Sequence, residues 1–179
     1  GRSVQTTLDR GEQALAERVV AAHRASLERR GIRDVAVVVV DWPTAEVRAL
    51  VGGHDFWGGQ SGAQIPAFAV PRSPGSTLKP LAYAAAIDAG RALPEFLVPD
   101  VPVSHGTWSP SNYDGSFDGL VRLEDALSRS LNVPFVELLA ADGVPTFLSR
   151  LRALGVTSLD PRPGHYGLSL IVGGIELTP

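Results

Sequence analysis

The chain contains no cysteine, no methionine and only one lysine. Without cysteine there is no disulfide, no thiolate metal site and no thiol nucleophile. The four histidines, His23, His54, His105 and His165, lie far apart, and none forms a short-spaced ligand pair. That spacing argues against a dedicated metal site, and no cofactor is expected. No apolar run approaches the roughly 18–20 residues that span a bilayer, and no signal peptide is visible. There is no basic stripe, and the net charge is −3, so nucleic-acid binding lacks electrostatic support. Met is missing even at position 1, and the chain ends just after an apolar stretch at Leu177-Thr178-Pro179. Both features predict that these residues are the interior of a longer protein.

What is present is globular in character. Apolar residues make up 44% of 179 residues, enough for one domain with a buried core. The basic residues are unevenly divided: of the sixteen, fifteen are Arg and one is Lys79. Lysine can lose its proton inside a protein and arginine effectively cannot. A lone lysine in an arginine-rich chain therefore points to a position where arginine will not serve, or else to an ordinary solvated side chain.

Periodicity predicts a helix over Asp9–Arg30, with Leu15, Val19 and Ala22 on one face extended by Leu27, stopped by Gly31. The run Val35–Asp41 (VAVVVVD) predicts a strand buried on both faces, joined through Trp42-Pro43-Thr44-Ala45 to a second strand over Glu46–Val51. A Gly-rich stretch follows from Gly52 to Gly75, holding Phe56 and Trp57 as packing anchors or a lid. A helix is expected from Ser76 to Ala89, closed by Gly90, with Pro80 near its first turn. Pro94 to Gly119 reads as irregular. Leu123–Arg129 reads as a short helix, interrupted by Ser130-Leu131-Asn132-Val133 and followed by helices over Pro134–Ala140 and Phe147–Leu154. An apolar run closes at Gly173-Gly174, where close backbone approach near a cleft is expected.

The chemistry centres on Ser76 and Lys79. Ser73-Pro74-Gly75 is suited to a sharp turn that presents Ser76 at a helix N-terminus. Residues three apart share a helix face, so Lys79 can reach back toward the Ser76 hydroxyl. A serine nucleophile needs a base within reach, and a lysine base needs its pKa lowered from about 10.4 by burial or a positive helix end. The same helix end can stabilise an oxyanion. Read from spacing alone, Ser76 is equally an N-cap and Lys79 a solvated first-turn residue. Ser130 and Asn132 form an S-x-N in a helix break 54 residues after Ser76. They suit a proton shuttle and a substrate-carbonyl ligand, or two helix caps.

Taken with these motifs, RSPGSTLKPLAYAAAIDAG (Arg72 to Gly90) and SNYDGSFDGLVRLEDALSRSLNVPFVELL (Ser111 to Leu139) resemble the transpeptidase domain of class A penicillin-binding proteins. SVQTTLDRGEQALAE and VAVVVVDWPTAEVRALVGG resemble its start and first hairpin, and GLSLIVGGIELTP is most similar to the subgroup numbered 1C. The resemblance implies an α/β fold of the penicillin-binding transpeptidase and serine β-lactamase type, with residues 1–179 as part of that domain. It implies a peptidoglycan D,D-transpeptidase that cross-links stem peptides through a serine acyl-enzyme. Ser76 would attack the D-Ala-D-Ala bond, Lys79 would act as base, Ser130 as proton shuttle and Asn132 as substrate ligand. Tyr113, in the segment NYDG, would line the cleft or serve a turn with Asn112, Asp114 and Gly115. β-Lactam antibiotics would acylate the same serine. It further implies a membrane-anchored, bifunctional cell-wall synthase with an upstream glycosyltransferase domain, at the periplasmic face of the inner membrane.

Two departures from the pattern stand out. The family's third motif, Lys-Thr-Gly or a close variant, is absent, because the only lysine is Lys79. The expectation is therefore a domain truncated before the last strands of the central antiparallel sheet, with poor acylation by the 179 residues alone. Where relatives often carry Asn-Arg upstream of the serine, this chain has Ile65-Pro66. The alternative functions are a D,D-carboxypeptidase or β-lactamase-like hydrolase and a non-catalytic β-lactam-binding module. The absence of Glu between Glu137 and Glu176 weighs against one β-lactamase route. Asp118, Glu124 and Asp125 read as turn and helix-start charges.

Overall fold

The structure is a computed structural model that describes residues 3–32, 34–53, 64–162 and 164–178. Phe56 and Trp57 lie outside the described residues. The chain divides into two compact units, Gly1–Val70 with Thr178–Pro179, and Pro71–Leu177.

In the first unit, helix α1 spans Arg10–Arg29, with the Asp9 carboxylate capping the N–H groups of Gly11 and Glu12. Strands β1 (Val37–Asp41) and β2 (Glu46–Val51) form the expected antiparallel hairpin, with a register shift between Val39 and Val40. Two expectations fail here. The face of α1 that turns inward carries Gln13, Ala16, Val20 and Leu27, whereas Leu15 and Val19 are exposed. The reason is a polar anchor: the Gln13 amide accepts from the Leu50 N–H at 2.8 Å and donates to the Leu50 carbonyl at 2.9 Å, fixing the rotation of the helix on β2. Nor is β1 buried on both faces. Val38 and Val40 are exposed, because among the described residues its sheet has only two strands.

The second unit is built around α4 (Val133–Asp142). Pro134 sits in its first turn, and Val133, Phe135, Val136 and Leu139 are fully buried. Around it pack α2 (Lys79–Asp88), α5 (Val144–Ala153), β3 (Leu97–Asp100) and a 3₁₀ segment, Leu168–Val172, that inserts Leu170 and Ile171 into the core. β3 pairs antiparallel with β4 (Gly119–Arg122), setting Asp100 opposite Gly119. The chain runs from β4 directly into α3 (Leu123–Ser128). The stretch read as irregular thus contains β3. Pro99 concealed it, yet proline is tolerated in so short a two-stranded ribbon, where each strand has a free edge. No helix among the described residues is long and apolar enough to cross a membrane.

Candidate active site

Ser76 does not begin an α-helix. It lies in a 3₁₀ turn, Gly75–Leu78, that feeds into α2 at Lys79. Gly75 adopts φ +54° after Pro74, the sharp entry that Ser73-Pro74-Gly75 suggested. This turn is braced by Gly173, at φ +108°, whose carbonyl accepts from the Ser73 hydroxyl at 2.8 Å. A Cβ added to Gly173 would come within 2.5 Å of Ser73 Oγ and 3.1 Å of the Gly75 Cα. Of the close approaches expected at Gly173-Gly174, that of Gly173 is therefore made against the residues that carry Ser76, and that of Gly174 against Ser169. The Ser76 side chain caps no helix, and neither its hydroxyl nor its N–H has a hydrogen-bond partner among the described residues. The capping reading loses its basis, and a half-buried hydroxyl beside an unused N–H donor remains.

Lys79 is not solvated: its residue exposure is 1%. Its ammonium does not bond the Ser76 hydroxyl but crosses to the helix break. There it donates to the Ser130 carbonyl at 2.7 Å, to Asn132 Oδ1 at 2.7 Å and to Ser130 Oγ at 3.3 Å. The Phe135 ring lies below it, 5.8 Å from Nζ to the centroid. Burial disfavours the charged form and lowers the Lys79 pKa from the ordinary lysine value to about 8.

Ser130 ends α3 with a left-handed backbone, φ 57°, uncommon for a residue other than glycine. Asn132 precedes α4 but its side chain caps nothing. Its Oδ1 takes the Lys79 ammonium, and its Nδ2 donates to the Ser111 carbonyl at 2.8 Å, leaving one amide hydrogen unassigned. Ser130, Asn132 and Lys79 are thus brought together, with Ser76 one turn before Lys79. Tyr113 is placed differently: its side chain is fully exposed, with no packing against the cluster. Its neighbour Asn112, read only as a turn residue, is buried and bonded to the Asn132 N–H at 2.7 Å. Nothing in composition or period marks Asn112 or its buried partner Asp100. The signal of Asn112 was position alone, since it stands within the segment that carries the resemblance; Asp100 had none. Glu124 and Asp125 occupy the first turn of α3, as expected, and Asp118 pairs with Arg129. Glu137 points to His105, 2.7 Å away. No group of three or more potential metal-ligating side chains occurs among the described residues.

Comparison with known proteins bears on the fold and the family. The sequence profile of the penicillin binding protein transpeptidase domain matches residues 35–162. The chain is 37% identical over 171 residues, 96% of its length, to penicillin-binding protein 1C of Escherichia coli (strain K12), of which it covers 22%. It is 35% identical over 153 residues, 80% of its length, to penicillin-binding protein 1A of Neisseria gonorrhoeae, of which it covers 18%. It therefore spans about a fifth of the length of these relatives. The structure of the PonA1 protein from Mycobacterium tuberculosis in complex with penicillin V is similar at a TM-score of 0.80 and 23% identity, covering 98% of this chain and 48% of that one. The fold is thus the transpeptidase fold of the penicillin-binding proteins, and the profile match and the identities show that this chain belongs to the penicillin-binding protein transpeptidase domain family.

Proposed function

We propose that this chain is the acyl-transfer part of a peptidoglycan D,D-transpeptidase, with Ser76 as nucleophile and Lys79 as its base. The observation that carries the reading is the buried Lys79 ammonium, held by Ser130 and Asn132 one turn after an unbonded Ser76 hydroxyl. Two of its three acceptors, the Ser130 carbonyl and Asn132 Oδ1, can only accept. When Lys79 is neutral they retain its two N–H bonds, and the lone pair is left to face a hydroxyl. Ser130 Oγ, the longest contact at 3.3 Å, can reverse its role and donate. A pKa of about 8 makes the neutral amine accessible near neutral pH.

In this reading Lys79 removes the Ser76 proton as Oγ attacks the penultimate D-Ala carbonyl of a stem peptide. The Ser76 N–H donates to the developing oxyanion. The C–N bond breaks, and the proton reaches the leaving D-Ala amine from Lys79 through the Ser130 hydroxyl. The amine of a second stem peptide then attacks the ester, losing its proton along the same route, and Ser76 is regenerated. The remaining Asn132 amide hydrogen is suited to a substrate carbonyl. A β-lactam ring presents its carbonyl to the same serine, and the penicillin V complex of PonA1 supports such a ligand class. The names of the relatives support placing the protein in the cell envelope. By family resemblance it would be a membrane-anchored bifunctional synthase at the periplasmic face.

The hydrolase reading has less support, because Glu137 is engaged by His105 rather than directed to Ser76 or Lys79. The test is to incubate the full-length protein with a labelled penicillin and measure intact mass. One adduct that disappears in Ser76→Ala is the expected result. An adduct that survives this substitution, or no adduct on the unaltered protein, sinks the assignment, and fast turnover of penicillin would favour a hydrolase.

A further inference from the structure

We propose, resting on the acyl-transfer reading above, that Asp100 and Asn112 are positioning residues that orient Asn132, and through it Lys79, by a polarity relay. Asp100 ends β3, and its residue exposure is 0%. Among the described residues no cation pairs with it. Its carboxylate oxygens instead accept from Asn112 Nδ2, at 2.9 Å each, and from the Asp118 N–H at 2.9 Å. The Asp118 N–H is available because β3 and β4 pair Asp100 with Gly119.

The orientation of the Asn112 amide follows from its neighbours. Nδ2 faces the Asp100 carboxylate and the Ser116 carbonyl at 2.9 Å, groups that only accept. The Asn112 Oδ1 must then face the other way, where it accepts the Asn132 N–H at 2.7 Å. The preceding residue completes the grip, since the Ser111 carbonyl takes Asn132 Nδ2 at 2.8 Å. With Nδ2 committed, Asn132 Oδ1 is left for the Lys79 ammonium at 2.7 Å. One loop therefore fixes both the backbone and the side chain of Asn132. Asp100 and the Ser116 carbonyl set the Asn112 amide, Asn112 holds the Asn132 backbone, and the adjoining Ser111 carbonyl sets the Asn132 amide.

A buried carboxylate is costly unless its oxygens are satisfied. A purely structural contact between this ribbon and α4 needs no charge. A carboxylate does what an apolar residue cannot: it forbids the flipped Asn112 amide, which would set Nδ2 against the Asn132 N–H. In Asp100→Asn the new amide offers a donor to Asn112 or to the Asp118 N–H, so one bond is lost and the Asn112 flip becomes accessible.

The experiment uses the full-length protein and a labelled penicillin, reading adduct formation on Ser76 against pH together with the melting temperature. Asp100→Asn is expected to slow acylation roughly ten- to a hundredfold, the scale of a small misplacement of a catalytic group. The midpoint of its pH profile should fall, because a loosened Asn132 backbone weakens the hold of Oδ1 on the ammonium. A folded Asp100→Asn protein with unchanged rate and midpoint overturns the proposal. Should Asp100→Asn not fold, Asn112→Ala is read in the same way, and failure of both to fold assigns the network to folding and overturns the relay. An unaltered protein that forms no Ser76 adduct overturns the acyl-transfer reading along with the relay. A normal Ser76 adduct with no effect at Asp100 overturns the relay alone.

Discussion

Ser130 holds at the end of α3 the left-handed backbone position that Gly90 holds at the end of α2. Their φ angles are 57° and 65°. Each end is closed by the same two bonds: Ser130 N–H to Leu127 with Leu131 N–H to Ala126, and Gly90 N–H to Ile87 with Arg91 N–H to Ala86. Gly31 and Gly155 occupy the same place after α1 and α5. Three helices thus use glycine, for which this conformation carries no Cβ penalty, and the fourth uses a serine whose hydroxyl faces Lys79.

Ser130→Gly should therefore separate stability from activity. Relief of the left-handed conformation is worth about 1 kcal/mol, or roughly 2–4 °C in melting temperature for a chain of this size. Loss of the hydroxyl should slow acylation by about a hundredfold or more, the usual scale of one general acid–base group. Thermal melts and penicillin acylation on the same preparations decide the matter. A variant that melts lower would show that the serine backbone is not strained.

Gly173→Ala should damage the same site from the opposite side. The new methyl would meet Ser73 Oγ at 2.5 Å and the Gly75 backbone at 3.1 Å, on a residue held at φ +108°. Backbone strain and overpacking together should cost about 2–4 kcal/mol. Because the contact falls on the turn that carries Ser76, acylation should drop in the fraction that stays folded. Urea unfolding with parallel adduct measurement checks both, and an unaffected acylation rate would show that the brace does not position Ser76.

The residues of the cluster were legible because their chemistry is local. A serine three before a lone lysine, and an S-x-N in a helix break, can be seen in one dimension. What was not legible depends on contacts made at a distance. Gln13 turns α1 by bonding Leu50, so the inward face could not be read from apolar period alone. β3 was hidden because Pro99 reads as a breaker when its partner Leu120 is unknown. Lys79 was expected to face Ser76, but its length carries the ammonium to the Ser130 carbonyl, an acceptor that no side-chain motif announces. Asp100 lies 32 residues before Asn132 and, among the described residues, is hydrogen-bonded to it through Asn112.

Asp142→Ala should be the converse of the Ser130 variant. Asp142 ends α4 with its side chain 7% exposed and binds both Arg91, just after α2, and Arg150 of α5. Its removal leaves two partly exposed guanidinium groups without their shared carboxylate, at a cost of about 2 kcal/mol, below the range for a fully buried pair. Unfolding by urea should show this loss, while the acylation rate of the folded protein stays within about twofold. A large kinetic effect would mean that the α2–α4–α5 junction reports to the site.

Lys79 gives the sharpest prediction, because two independent measurements must agree on one group. If Lys79 is the base proposed, acylation draws on the neutral amine, and its rate should rise with pH to a plateau with a midpoint near 8. The stability consequence has a definite sign. The folded value lies below the ordinary lysine value of 10.5, so below about pH 8 both states carry the proton and the burial penalty is fully present. Between about 8 and 10.5 the folded protein has released a proton that the unfolded chain still holds, and stability rises with pH across that window. Lys79→Met removes the titrating group. Relative to this variant, the unaltered protein should gain stability between pH 7 and pH 10, as urea unfolding at both values would show. If the kinetic midpoint lies more than about a unit from the onset of the stability change, Lys79 is not the base that activates Ser76.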